Sequence, residues 1–331
     1  MQSKSQKHIF KVGRLLTQSM SFDILKLPGK RHPVTKDVNT VKHLPKELAD
    51  DYERELKAIG DVDGIRPPLI NISDILRAYY ILADYFTDAS SDKQVEAMLI
   101  GVKNRNLLGS AVSRQTVSFG GHIKYTNSVE ICATLFYGLV KNHAFHDGNK
   151  RVSLLILLYQ LYGYGYFPAA PVTEFEKLVV SVAANTLPDQ YGHIWKKFSK
   201  LPSKDDSAIQ TIAYLLRRMT TRRDHSFHIS VTMKEFCSAL ESQGVKWSLE
   251  NGKIYLSATQ KIGGIPYKTL RHHLPFGGWT RVIGAKQARE ALESLGIYDQ
   301  HPAYQSVMSG KDPLYTLVAH FEEPLRRLKD K

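Results

Sequence analysis

His143-Ala-Phe-His-Asp-Gly-Asn-Lys-Arg151 is a polar stretch set between two apolar runs. Before it, Ser128 to Asn142 repeats Ile131, Leu135 and Leu139 at helical spacing, with Glu130 in the first turn. After it, Val152 to Tyr162 is apolar nearly all round, the mark of a helix buried on every face. The stretch therefore reads as a loop whose last residues start a central helix. The first N–H groups of such a helix have no partners within it, and its dipole adds positive potential there. Gly148, Asn149 and Lys150 would form an anion site, with fixed charge from Lys150 and Arg151. Asp147 would repel a phosphate beside that nest unless a divalent cation stood between them, which implies Mg2+. His143, across the loop, is placed to take a proton from an attacking hydroxyl.

These residues resemble the motif of the Fic/Doc (filamentation and death-on-curing) family, H-x-F-x-D/E-G/A-N-G/K-R. The resemblance implies that His143 is the general base, that Phe145 packs inward and fixes the loop, and that Asp147 binds Mg2+. Gly148, Asn149, Lys150 and Arg151 would hold the phosphates of ATP. It extends from about Asn71 to about Leu201 and implies a helical bundle. A short hairpin within 115–127, around Gly120-Gly121, resembles the family's flap, so Phe119, Gly120, Gly121, His122 and Ile123 would align a target's backbone beside the motif.

Two departures bear on the branch. The AMP-transferring branch usually has Gly at Lys150 and a second Arg where this chain has Leu154. Both changes resemble the Doc toxin branch, which transfers the terminal phosphate of the nucleotide to a translation factor. The expected activity is therefore a Doc-like protein kinase, with AMP transfer to a protein hydroxyl, or a scaffold binding nucleic acid or a partner, as alternatives. No S/T-x-x-x-E-G/N inhibitory motif occurs, so a separate antitoxin or inhibitor is the expected restraint.

The 331 residues, 43% of them hydrophobic, suffice for two domains with sizeable cores. A formal charge of +13 suits an acidic partner or ligand, and nucleic acid could bind through the basic terminal regions. Cys132 and Cys237 form neither a disulfide framework nor a metal pattern, and a reducing, cytoplasmic setting fits them. The longest apolar run, Leu154 to Tyr159, is too short to cross a bilayer, so no membrane partner is expected.

The expected organisation is mainly α: a basic N-terminal extension over 1–66, the Fic/Doc helical bundle with its hairpin flap over 67–202, and a smaller α+β domain over 203–331. In the extension, residues 1–32 carry many cations against one acid, and Leu44, Leu48 and Leu56 suggest a short helix. Ser73 with Asp74 caps the first bundle helix, and Thr173 with Glu176 makes a capping box for a later one. In the last domain, Ile209 to Met219 spaces as a helix ending in a basic cluster at Arg217, Arg218, Arg222 and Arg223, and 227–231 suggests a strand. Thr232 with Glu235 is a second capping box, Asn251-Gly252 marks a two-stranded ribbon, and 262–279 reads as a glycine-rich loop. His272 and His273 within it would be surface residues.

Overall fold

The computed structural model describes residues 44–88, 99–222, 231–262, 265–297 and 313–329. All of them lie in one compact unit, Val34–Lys331; the other unit, Met1–Pro33, carries the basic N-terminal stretch and lies outside the described residues, as do Arg223 and positions 227–230.

The fold is mainly helical, and its apolar side chains gather in two separate cores. The first core surrounds the helix anticipated from the apolar run after the motif, α5 (Asn149–Gly163), on which Leu154 through Leu158 are all buried. Around it stand α2 (Ile72–Asp88), α4 (Ser128–Asn142) and α6 (Val172–Ala183). The short α7 (Leu187–Gln190) and α8 (Gly192–Phe198) follow, α1 (Lys46–Ile59) and α3 (Arg105–Ser113) complete the sides, and the two-residue strands β3 (Phe167–Pro168) and β4 (Thr220–Thr221) pair antiparallel with each other.

Four elements outside the expected 67–202 bundle belong to this core. Helix α1 contributes Tyr52, and α9 (Lys204–Met219) buries Ile209, Ile212, Leu215 and Leu216 against α4. From the end of the chain, α12 (Pro313–His320) lies against α5 and α2, and α13 (Glu322–Arg327) against α6. These two bring Leu314, Leu317, Phe321, Leu325 and Leu328 into the core. A boundary at 203 would cut through continuous apolar contact.

The second core lies within residues 231–297, where α10 (Met233–Ser242), strands β5 (Lys246–Glu250), β6 (Lys253–Ile262) and β7 (Ile265–Pro275), and α11 (Ala285–Ser294) build an α-β-β-β-α module. Its sheet is antiparallel in the order β5-β6-β7. Asn251 and Gly252 both have positive φ, as the tight turn between β5 and β6 requires. The capping box of Thr232 and Glu235 is formed at α10. The stretch read as a glycine-rich loop is instead mostly β7: Leu270 to Pro275 alternates faces, and the histidines in its middle hid that pattern.

Other local expectations also shift. At α2 the capping group is Asn71, whose Oδ1 accepts from the Ile72 N–H while its own N–H donates to Asp74; Ser73 turns instead to Asp61. No side chain caps α6. Glu176, expected in that capping box, is buried and accepts a hydrogen bond of 2.9 Å from Arg327, which comes from the far end of the chain. Arg217 pairs with Glu130 and Arg222 bonds Tyr166, so both are engaged with the bundle. Both cysteines are buried thiols; burial pushes Cys132 well up and Cys237 to about 11.

Candidate active site

The motif loop is held in place by backbone pairing. The carbonyl of Ala144 accepts from the N–H groups of Lys103 and Asn104 at 2.8 and 3.0 Å, and the His146 N–H donates to Gly101 at 3.1 Å. Tyr79 of α2 closes the circuit. Its hydroxyl accepts from the Gly101 N–H at 2.9 Å, and its ring stacks on Phe145 with centroids 4.1 Å apart. Burial pushes the Tyr79 hydroxyl up to about 12, opposed by the Gly101 backbone bond, so it stays a neutral tether. Phe145 is buried, the inward packing the sequence reading expected of it.

His143 ends α4 in the left-handed conformation, with φ 48°, and its side chain is exposed at the mouth of the loop. On the other side Gly148, φ 78°, precedes α5, and no side chain caps it. The turn needs that glycine because a side chain is disfavoured at such φ. The first N–H groups of α5 have no partners within the helix.

The side chain of Asn149 has a role that the motif alone does not reveal. Its Oδ1 accepts from the Phe145 N–H at 3.0 Å and its Nδ2 donates to the Phe145 carbonyl at 2.8 Å, clamping the loop onto the helix start. What Asn149 can offer an anion is its backbone N–H.

Asp147 and Arg151 form a pair one helical turn apart. Arg151 donates to Asp147 Oδ2 at 2.9 Å, and the Gly148 N–H donates to Oδ1. The Arg151 side chain is only 4% exposed and its guanidinium lies over the Phe86 ring, whereas the Asp147 side chain is 36% exposed. Arg151 thus floors the site while Asp147 faces outward. Each carboxylate oxygen has more than one lone pair, so Asp147 keeps coordination capacity beyond these two bonds. Among the described residues no cluster of three or more acidic, His or Cys side chains could hold a metal. A single carboxylate still suits Mg2+, which is usually bound through one or two carboxylates with the remaining ligands from substrate phosphates and water.

These groups share a cleft of about 370 Å³, within the ~300–1,000 Å³ typical of small-molecule sites. It is lined by His143, His146, Asp147, Gly148, Asn149, Lys150 and Arg151, the expected motif residues and His146 together. Val180, Ala183 and Ala184 of the α6 end form one wall, and Leu328 with Lys329 another. The sequence reading missed Lys329, since nothing local marks a cation nearly two hundred residues from the motif as part of the same site. The Arg327–Glu176 bond and the buried Leu328 hold that segment there.

The expected hairpin is present. Strand β1 (Ser118–Phe119) pairs antiparallel with β2 (His122–Ile123), and Gly120 and Gly121 both have positive φ. Phe119 is 91% exposed and Ile123 58%. At the hairpin's base Lys124 and Tyr125 bond Asp206 of α9, while Arg114 and Tyr137 bond Asp205. Burial alone would raise the Asp206 carboxyl, but hydrogen bonds from Lys124 and Ser203 outweigh it and hold the group below its ordinary value.

Residues 69–161 match the family model described as the Fic/DOC family. No curated protein and no solved structure matches the chain. Domains of the matched family are generally transferases that move AMP or a phosphate onto proteins. Among the described residues no helix is long and apolar enough to cross a membrane.

Proposed function

We propose that the chain is a protein kinase of the Doc type, transferring the terminal phosphate of Mg-ATP to a hydroxyl of a protein target of the translation-factor class. The observation that carries this reading is the uncapped start of α5 opening into one cleft with His143, Asp147 and Lys150. The backbone N–H groups there and the cations of Lys150 and Arg151 suit a polyphosphate. Asp147 would hold Mg2+, which when bound offsets phosphate charge.

In the reaction His143 accepts the proton of the target hydroxyl as its oxygen bonds the terminal phosphorus. The bond from that phosphorus to the bridging oxygen breaks, and ADP leaves with its electrons. A positioned base contributes roughly 100- to 10,000-fold. Phe145 and Asn149 set the loop that presents His143, and the flap offers its strand edges to an extended target segment. Two features favour terminal-phosphate transfer over AMP transfer. Lys150 places a cation where the AMP-transferring branch usually has Gly, and Leu154, in place of that branch's second Arg, is fully buried. Because the inhibitory motif is absent, a separate partner is the proposed restraint on the enzyme.

Calorimetric titration with ATP tests the site. Asp147→Asn removes the charge and keeps an acceptor for only one of the two donors, Arg151 and the Gly148 N–H. Wild-type protein should bind ATP more tightly with Mg2+ than without, and the variant should lose most of that difference. An undiminished Mg2+ effect in Asp147→Asn would remove Asp147 as the metal ligand.

A further inference from the structure

We propose that the open face of the β5-β6-β7 sheet binds single-stranded RNA. The α-β-β-β-α module has its own hydrophobic core, so its sheet is not needed to complete the core around α5. Side chains along a strand alternate between faces. Ile254, Leu256 and Leu274 point to the side covered by α10 and α11 and are buried. The registers Ser248↔Tyr255↔His273, Lys246↔Ser257↔Arg271 and Glu250↔Lys253↔Pro275 set the other side, where all but the half-buried Ser257 are exposed.

The composition of that face selects the ligand. Tyr255, 41% exposed, stands at its centre on the middle strand, and the His273 ring lies 6.2 Å away. Lys246 and Arg271 flank it on one side along the strands and Lys253 on the other, against one acid, Glu250, which accepts from Ser248. Side chains two apart on a strand are about 7 Å from each other. That is near one step of an extended polynucleotide, so a base stacked on Tyr255 would put flanking phosphates within reach of these cations.

A shallow cleft of about 340 Å³ lies at this part of the sheet, lined by residues of this face, Glu250 among them, and also by Trp247, Leu256 and His272 of the alternating row. A central aromatic ring with cations on either side is how single strands are held without sequence readout. The hydroxyls of Ser248, Ser257 and Thr269 add partners for the ribose 2′-OH, which favours RNA over DNA. The face presents no large aliphatic side chain, so it is poorly suited to an apolar protein partner.

The test is fluorescence anisotropy of the full-length protein with a labelled single-stranded RNA of about a dozen nucleotides, within the ~4–16 of known sites. DNA of the same sequence and duplex RNA are run beside it. Wild type should bind the single-stranded RNA best and lose affinity steeply from ~50 to ~200 mM salt. Tyr255→Ala should weaken binding roughly ten-fold, the scale of one lost stack, and Tyr255→Phe should retain it. Lys246→Glu with Arg271→Glu should weaken binding further and flatten the salt dependence, while the control Lys196→Glu with Lys200→Glu, the same charge change on the bundle, should not.

Thermal melts establish that each variant is folded, and the paired charge reversal stands alone if Tyr255→Ala is not. No binding by wild type at low salt would overturn the proposal. So would equal or tighter binding of DNA or duplex RNA, or face variants that bind like wild type or no worse than the control.

Discussion

Under the proposed Doc-type reading, Leu154 stands where the AMP-transferring branch usually has a second Arg. It is fully buried among the side chains around α5, so an arginine there would have to place its guanidinium in an aliphatic interior. Leu154→Arg is expected to lower stability by several kcal/mol, as for an unpaired buried charge, with a clear fall in melting temperature. A variant that melts like wild type and gains AMP transfer would contradict this account of the branch. That the candidate residues share one cleft was legible at this scale because His143, Asp147, Gly148, Lys150 and Arg151 fall within nine residues. The clamp made by the Asn149 amide was not. A side chain with both donor and acceptor can serve ligand or backbone equally well, and only the positions of the Phe145 groups decide between them.

At the scale of elements, the flap depends on a helix that the sequence reading placed in another domain. Its base is tied to Asp205 and Asp206 in the first turn of α9. The Asp206 carboxyl is held below its ordinary value of 3.8, so its contribution is fully present above that value. It is lost as pH falls through the lower folded-state value. The Lys124 ammonium is raised by the same bond, so its contribution is present below its ordinary 10.5 and fades only at higher pH. Each exposed pair is worth about 0.2–1 kcal/mol, enough to change local opening without unfolding the chain. Hydrogen exchange at the Lys124 N–H, which bonds the Val117 carbonyl, should show steady protection near neutral pH and reduced protection only once pH falls below the ordinary carboxyl value of 3.8. Equal protection after Asp206→Asn, or no acid dependence, would show that the flap is held by other means. The hairpin itself was readable from its glycine pair. The capping of α6 was not, because Thr173 and Glu176 fit the pattern while Arg327, distant in sequence, competes for the carboxylate.

At the scale of the molecule, the bundle is assembled from both ends of the described chain. A fragment of residues 67–202, the span that the motif and its helices suggest, lacks α1, α9, α12 and α13. It would expose the faces on which Leu216, Leu314, Leu317, Phe321, Leu325 and Leu328 pack. At roughly 1.5–3 kcal/mol for each large side chain, that loss is comparable to the whole 5–15 kcal/mol by which domains are stable. The fragment should aggregate or lack a cooperative melt, whereas residues 44–331 should melt cooperatively; a well-folded 67–202 would refute this view of the core. Periodicity identified α9 as a helix but not its partners, since an amphipathic pattern records that a face is buried and not what buries it.

The central claim, that His143 acts as base in moving the terminal phosphate of ATP to a protein, meets its most direct test in parallel labelling with ATP carrying label at the alpha or the gamma phosphate. Purified wild type and His143→Ala are each incubated with Mg2+ and a bacterial lysate. The account predicts protein labelled only from gamma, falling 100- to 10,000-fold in His143→Ala while ATP binding is retained. Label from alpha, or equal labelling by His143→Ala, would contradict it.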